Sequence, residues 1–108
     1  MNSNLQGRPP SRPEWHDESV DDLLRAFGLL RTDDERAAFL RDLCTLAEIQ
    51  AMAHRLAAAR LVDRGVPYAE VAERVGGSTT TVTRVAHWLR HGEGGYRLVL
   101  DRLARRRK

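Results

Sequence analysis

Residues 68–87 read YAEVAERVGGSTTTVTRVAH, two short amphipathic segments separated by a pair of glycines. Val71, Ala72 and Val75 share one face of the first segment at helical spacing, and Val82, Val85, Ala86 and Leu89 repeat at i, i+3, i+4 and i+7 on the second. Stripes this short can be buried only against each other and a third helix. Pro67 suits the start of the first segment, where its missing N–H costs no hydrogen bond. Gly76 and Gly77 give the backbone the freedom that a sharp turn needs, and Ser78 has the side-chain oxygen to cap the second helix. The small Ala72 lets the two helices cross closely. The spacing predicts a helix-turn-helix over residues 67–89.

What remains outward on the second helix is Thr79, Thr80, Thr83, Arg84 and His87, a short polar face without an acid. Such a face suits a DNA major groove, where threonine can meet a base edge or a thymine methyl. Ser78, Thr79, Thr80 and Thr83 are the candidates for base-edge or nearby backbone contacts, and Arg84, His87 and Arg90 for phosphates. Arg74, at the end of the first helix, is a further candidate for a phosphate. Four threonines within five residues are costly helix formers, because β-branched side chains lose rotamer freedom there. That cost is easier to understand if they touch something. The alternative is a helical hairpin with a solvated polar face, serving as a protein–protein interaction module whose basic end attracts acidic partners.

The charge distribution favours double-stranded DNA. Ser78 to Lys108 carries eight Lys or Arg against two acids, Glu93 and Asp101, net +6, whereas the remainder carries 10 basic and 13 acidic residues, net −3. Basic charge thus sits with the reading helix and everything after it. The 108 residues fit one domain, and with 6% aromatic content the core must be built from Leu, Val and Ala. The single cysteine, Cys44, has no internal disulfide partner and no metal motif around it, and is expected as a small buried residue. Arginines and acids interrupt every hydrophobic stretch and no secretory signal is visible, so a cytoplasmic protein without membrane contact is expected.

Residues 1–16 hold three prolines, Gly, Ser, Asn and Arg without periodicity, and read as a flexible N-terminal arm. Ser19 to Leu30 places Val20, Leu23, Leu24 and Phe27 on one helical face. Thr32-Asp33-Asp34-Glu35 matches a capping box opening a second helix to about Leu43, and Thr45-Leu46-Ala47-Glu48 repeats the device. The latter opens the longest helix, about Leu46 to Arg64, stopped at Gly65. Apolar or small residues surround most of its circumference, as in a helix buried on several sides. One chain of this size has too few other elements to surround it, so a homodimer with interlocked helices is expected. Past a loop at His91–Gly95, a last helix over Tyr96 to Leu103 is expected to turn Leu98, Val99 and Leu103 inward. The organisation is then an arm (1–16), a helical domain (17–104) and a basic tail (105–108).

These elements together resemble the Trp repressor superfamily, more closely its bacterial YerC/YecD-type branch. The residues that carry the resemblance are Asp42-Leu43-Cys44-Thr45-Leu46-Ala47-Glu48-Ile49-Gln50, the Arg64-Gly65 stop, Gly76-Gly77-Ser78-Thr79-Thr80-Thr81-Val82-Thr83-Arg84-Val85, Gly94-Gly95-Tyr96 and Leu100-Asp101-Arg102-Leu103. It implies an all-α chain of six helices, an intertwined homodimer, and operator-type DNA binding by two reading heads. It also implies a candidate ligand pocket at Thr45, Arg55, Arg84, Val85 and Trp88. Tryptophan is not the expected occupant: Val85 stands where the repressor has a glycine beside the indole ring, and Trp88 where it has a small polar residue. Another small-molecule effector stays open, and no cofactor is expected.

No nucleophile, base and orienting acid occur at a recognisable spacing, and the glycine-rich stretches lack a phosphate-loop lysine, so an enzyme is not expected. His87 and His91 lie four apart, yet no cysteine or acid completes a metal set. His54 is expected as a core or interface histidine. The function these readings support is a sequence-specific transcription regulator, a repressor, acting as a homodimer on a palindromic operator without dependence on tryptophan.

Overall fold

The computed structural model describes residues 14–106. Most of the expected arm, residues 1–13, and the last two residues of the expected tail lie outside the described residues. Those described are helical and contain no strand. By their contacts they divide into two units, 14–43 and 44–106.

The first unit holds α1, Glu18–Leu29, and α2, Asp33–Leu43. Asp17 caps α1 by accepting the Val20 N–H at 2.8 Å, and two acids in its first turn, Glu18 and Asp21, suit the positive end of the helix dipole. Thr32 accepts the Glu35 N–H at 3.1 Å as expected, but Glu35 reaches back to the Arg31 N–H, at 2.7 Å, one residue earlier than a capping box requires. Phe27 and Phe39 meet edge to face, 5.3 Å between centroids, and join the two helices. Neither helix contains a buried residue.

The second unit holds α3, Leu46–Asp63; α4, Tyr68–Val75; α5, Thr79–His91; and α6, Gly95–Arg106. At the start of α3 the capping box is complete: Thr45 Oγ1 accepts the Glu48 N–H at 3.1 Å and Glu48 Oε1 accepts the Thr45 N–H at 2.8 Å. The two bonds hold the Glu48 carboxyl below the usual carboxylate range, with the backbone bond the larger cause. The helix ends in a Schellman motif, in which Val66 N–H reaches Leu61 O and Gly65 N–H reaches Val62 O, with Gly65 at φ +85. That reversal returns the chain so that α4 and α5 pack on α3 and on each other, with α6 against α3 and α5.

The core is made of small residues: Ala58, Ala59 and Val62 from α3, Val71 and Ala72 from α4, Val82, Val85 and Ala86 from α5, and Leu100 from α6. Small side chains let helix axes approach closely, which is how three short helices exclude water without aromatic bulk. Three expectations do not hold. On α6 the inward residues are Tyr96, Leu100 and Leu103, at i, i+4 and i+7, while Leu98 and Val99 are exposed. Arg105 and Arg106 are helical rather than tail, consistent with arginine's high helix propensity and the preference for cations at a helix C-terminus. Cys44 is half-buried instead of buried. His54 is exposed on α3, so of the two roles expected for it, core or interface, the core of its own chain is excluded.

Arg97 fastens α6 to the end of α3. Its Nη1 and Nη2 donate to the two Asp63 oxygens at 2.7 and 2.8 Å, and its Nε donates to Asp101 at 3.1 Å. The Arg97 bonds hold the Asp63 carboxyl below its ordinary range against a smaller opposing effect of burial, and the same bonds raise the Arg97 guanidinium. Among the described residues no helix is long and apolar enough to cross a membrane.

Candidate nucleic-acid interface

The turn between α4 and α5 is built as the sequence requires. Gly76 closes α4 in the left-handed region at φ 78, and both Gly76 and Gly77 donate to the Ala72 carbonyl. A side chain at position 76 would meet no neighbour, so glycine is required by backbone conformation and not by space. Ser78 then opens α5, its Oγ accepting the Thr81 N–H at 3.2 Å. With Val82, Val85 and Ala86 buried, Thr79, Thr80, Thr83, Arg84 and His87 are all exposed on α5, and the helix carries no acid.

Their local bonding differs in ways that matter for recognition. Thr83 Oγ1 donates to the Thr79 carbonyl at 2.9 Å, so its donor is spent within the helix. Ser78 Oγ lies 3.2 Å from Thr81 Oγ1 and is likewise occupied with capping. Among the described residues the Thr79 and Thr80 hydroxyls have no hydrogen-bond partner, and they stand at the first turn, where a helix entering a groove meets base edges. Arg84 has no ion pair among the described residues. Arg74 is different, because Nη2 donates to Glu70 at 2.6 Å and shares its charge with that carboxylate. Arg90 Nη1 donates to the Tyr68 hydroxyl at 2.8 Å. His87 stacks edge-on to Trp88 and lies 5.3 Å, centroid to centroid, from His91. No group of three or more His, Cys, Asp or Glu suited to a metal occurs among the described residues.

Beside this face an open groove of about 490 Å³ is lined by Arg55, Thr81, Arg84, Val85, Trp88 and Tyr96. Four of the five expected pocket residues are thus brought together. Thr45 is not among them: it lies ten residues before Arg55, about 15 Å along the helix axis at 1.5 Å per residue, and its hydroxyl is committed to the cap. Thr81 and Tyr96 join the groove without having been expected there. The spacing held a signal for Thr81, since 81, 84, 85 and 88 fall at i, i+3, i+4 and i+7 on one helical face. None existed for Tyr96, which arrives on another helix.

Six helices among the described residues, with this turn and this exposed, acid-free helix, define a helix-turn-helix protein. The family model for Trp repressor protein matches residues 18–104. Uncharacterized protein YerC from Bacillus subtilis (strain 168) is 36% identical over 86 residues, which cover 80% of this chain and 83% of that protein. Among solved structures, a TrpR like protein from Eubacterium eligens ATCC 27750 superposes with a TM-score of 0.78 at 34% identity, covering 82% of this chain and 91% of that one. A Trp repressor candidate from Staphylococcus aureus superposes with a TM-score of 0.77 at 35% identity, covering 82% and 89%. The chain belongs to the Trp repressor family, a family of DNA-binding regulators.

Proposed function

We propose that this protein is a cytoplasmic transcription repressor that binds a palindromic operator as a homodimer, without requiring tryptophan. The observation that carries the reading is the exposed face of α5, where Thr79, Thr80, Thr83, Arg84 and His87 stand together with no acid on the helix. A solvated helix of ordinary composition would mix both signs, whereas DNA repels carboxylates and rewards cations. Thr79 and Thr80 meet base edges, Arg84, His87 and Arg90 meet phosphates, and Ser78 and Thr83 hold the helix end in shape. Arg74 is the weakest of the proposed phosphate contacts because Glu70 already shares its charge. Two reading heads related by a dyad require half-sites about one helical turn, roughly 34 Å, apart.

Selection of bound fragments from sheared genomic DNA tests this, run with the native protein and with a Thr80→Ala, Arg84→Ala double variant. The expected result is one dyad motif enriched by the native protein, with the variant weakened by roughly 1–3 kcal/mol, about 5- to 150-fold, at the selected site. Uniform weak binding by both proteins would overturn the reading in favour of a protein-interaction module.

A further inference from the structure

We propose that Tyr68 and Arg90 together form a phosphodiester-binding pair at the edge of the DNA interface, in which Tyr68 orients the Arg90 guanidinium; this rests on the DNA-binding reading above. The two residues stand 22 apart in sequence, at the first position of α4 and in the last turn of α5, and Arg90 Nη1 donates to the Tyr68 hydroxyl at 2.8 Å.

The partner chosen for Arg90 is informative. Arg25, Arg36, Arg74 and Arg97 each sit against a carboxylate, which fixes the guanidinium but neutralises it. Arg90 has no acidic partner among the described residues and is held by a neutral phenol, so it is positioned with its charge intact. The Tyr68 ring is half-buried and packs against the core cluster, which gives the hydroxyl a rigid base. An aromatic side chain with two torsions loses little entropy in holding that position.

The donor inventory then identifies the ligand. A guanidinium has five N–H donors and one is used here; a phenol that accepts a hydrogen bond still has its own O–H to donate. The pair therefore offers several donors and a full positive charge, and suits an acceptor-only anion with two oxygens. Its place in the fold favours a DNA phosphate. Arg90 lies eleven residues beyond Thr79, about 16 Å along α5 at 1.5 Å per residue, which exceeds a major groove about 12 Å wide. With the first turn among the bases, the last turn stands over the sugar–phosphate rim.

The test is a salt titration of binding to a DNA fragment carrying the selected site, with native protein, Tyr68→Phe, Arg90→Ala, Arg90→Lys and the Tyr68→Phe, Arg90→Ala double variant. Thermal melts of each establish folding. Tyr68→Phe keeps the packed ring and removes only the hydroxyl. Tyr68→Phe and Arg90→Ala should each weaken binding about 3- to 10-fold. Arg90→Ala should flatten the slope of log affinity against log salt by about 0.9 for each phosphate it no longer neutralises. Tyr68→Phe should flatten it in part without any change of charge, and the double variant should match Arg90→Ala, the non-additivity expected of one unit. Arg90→Lys should lose affinity but keep the slope, because it retains the charge without the planar fork.

Native binding with Tyr68→Phe at full affinity and slope, or with additive effects in the double variant, would overturn the pair while leaving the DNA reading intact. So would a lowered melting temperature in Tyr68→Phe with no change of slope. Absence of DNA binding by the native protein would remove the DNA reading and the pair with it. Binding of polyglutamate in place of DNA, lost in Arg90→Ala, would assign the pair to an acidic protein partner.

Discussion

Val85 contributes both to the core and to the groove wall, and its two roles conflict with a pocket for a flat aromatic ligand. It is 3% exposed, wedged between α5 and the rest of the core, yet it lines the groove with Arg84 one residue before it and Trp88 three residues after. A branched side chain at that point takes up width that a bicyclic ring would need, and a close-packed interior does not yield cheaply to an intruder. Trp88, 56% exposed, adds the protein's own indole to the same wall. The expected outcome of calorimetry with L-tryptophan is the heat of dilution alone, and DNA affinity should not change in its presence; a saturable heat would show that Val85 leaves the slot open. At this scale the sequence was informative where spacing alone decides neighbours, as for Arg84, Val85 and Trp88. It failed where neighbours come from another element: Tyr96 in the groove and Tyr68 against Arg90 are contacts of tertiary packing.

Helix ends in this chain are set by short-range chemistry, which is why they could be read so closely. The Thr45–Glu48 box, the Gly65 reversal, the Gly76 turn and the Ser78 cap each involve atoms within five residues of one another. The phase of α6 could not be read that way, because 98, 99 and 103 and 96, 100 and 103 are both plausible stripes, and only the docking of Leu100 into the core decides between them. Docking is reinforced by the bidentate Arg97–Asp63 pair, which makes a prediction about acid. Arg97 depresses the Asp63 pKa in the folded state relative to the unfolded chain. The unfolded chain therefore takes up the proton first, and the contribution of the pair is fully present above the unfolded aspartate range, near pH 4, and is lost as pH falls through the lower folded value. Glu48 acts in the same direction. The melting temperature should be level between neutral pH and about 5 and decline below about 4, as followed by circular dichroism. Asp63→Asn should melt lower at neutral pH and decline less steeply in acid; an unchanged acid profile in that variant would mean that the pair is too well solvated to matter.

For the whole molecule the decisive quantity is the apolar surface that one chain leaves uncovered. The described core is confined to the C-terminal half of α3 and to α4, α5 and α6, while Leu46 and Met52 on the first half of α3 are 54% and 40% exposed. Leu23, Leu24 and Phe27 on α1 are exposed as well, at 3- and 4-residue spacing that makes them a continuous stripe. A helix apolar around most of its circumference signals from sequence alone that it needs more neighbours than one chain supplies; which half one chain covers could not be read, because that depends on where α4 to α6 dock. Small domains have little surface burial to spare, and leaving such stripes in water would remove much of what holds α1 and α2 in place. A second copy of the chain has the complementary need, since a dyad brings the same stripe to itself. The expected particle in light scattering at micromolar concentration is twice the 12.2 kDa chain mass, and the unfolding midpoint should rise with protein concentration, because dissociation is then part of unfolding. Met52→Glu places a charge in the uncovered stripe and should lower the melting temperature while making it less dependent on concentration. A 12.2 kDa particle with a concentration-independent midpoint would mean that the stripes tolerate water and that the two reading heads of the operator model have no common frame.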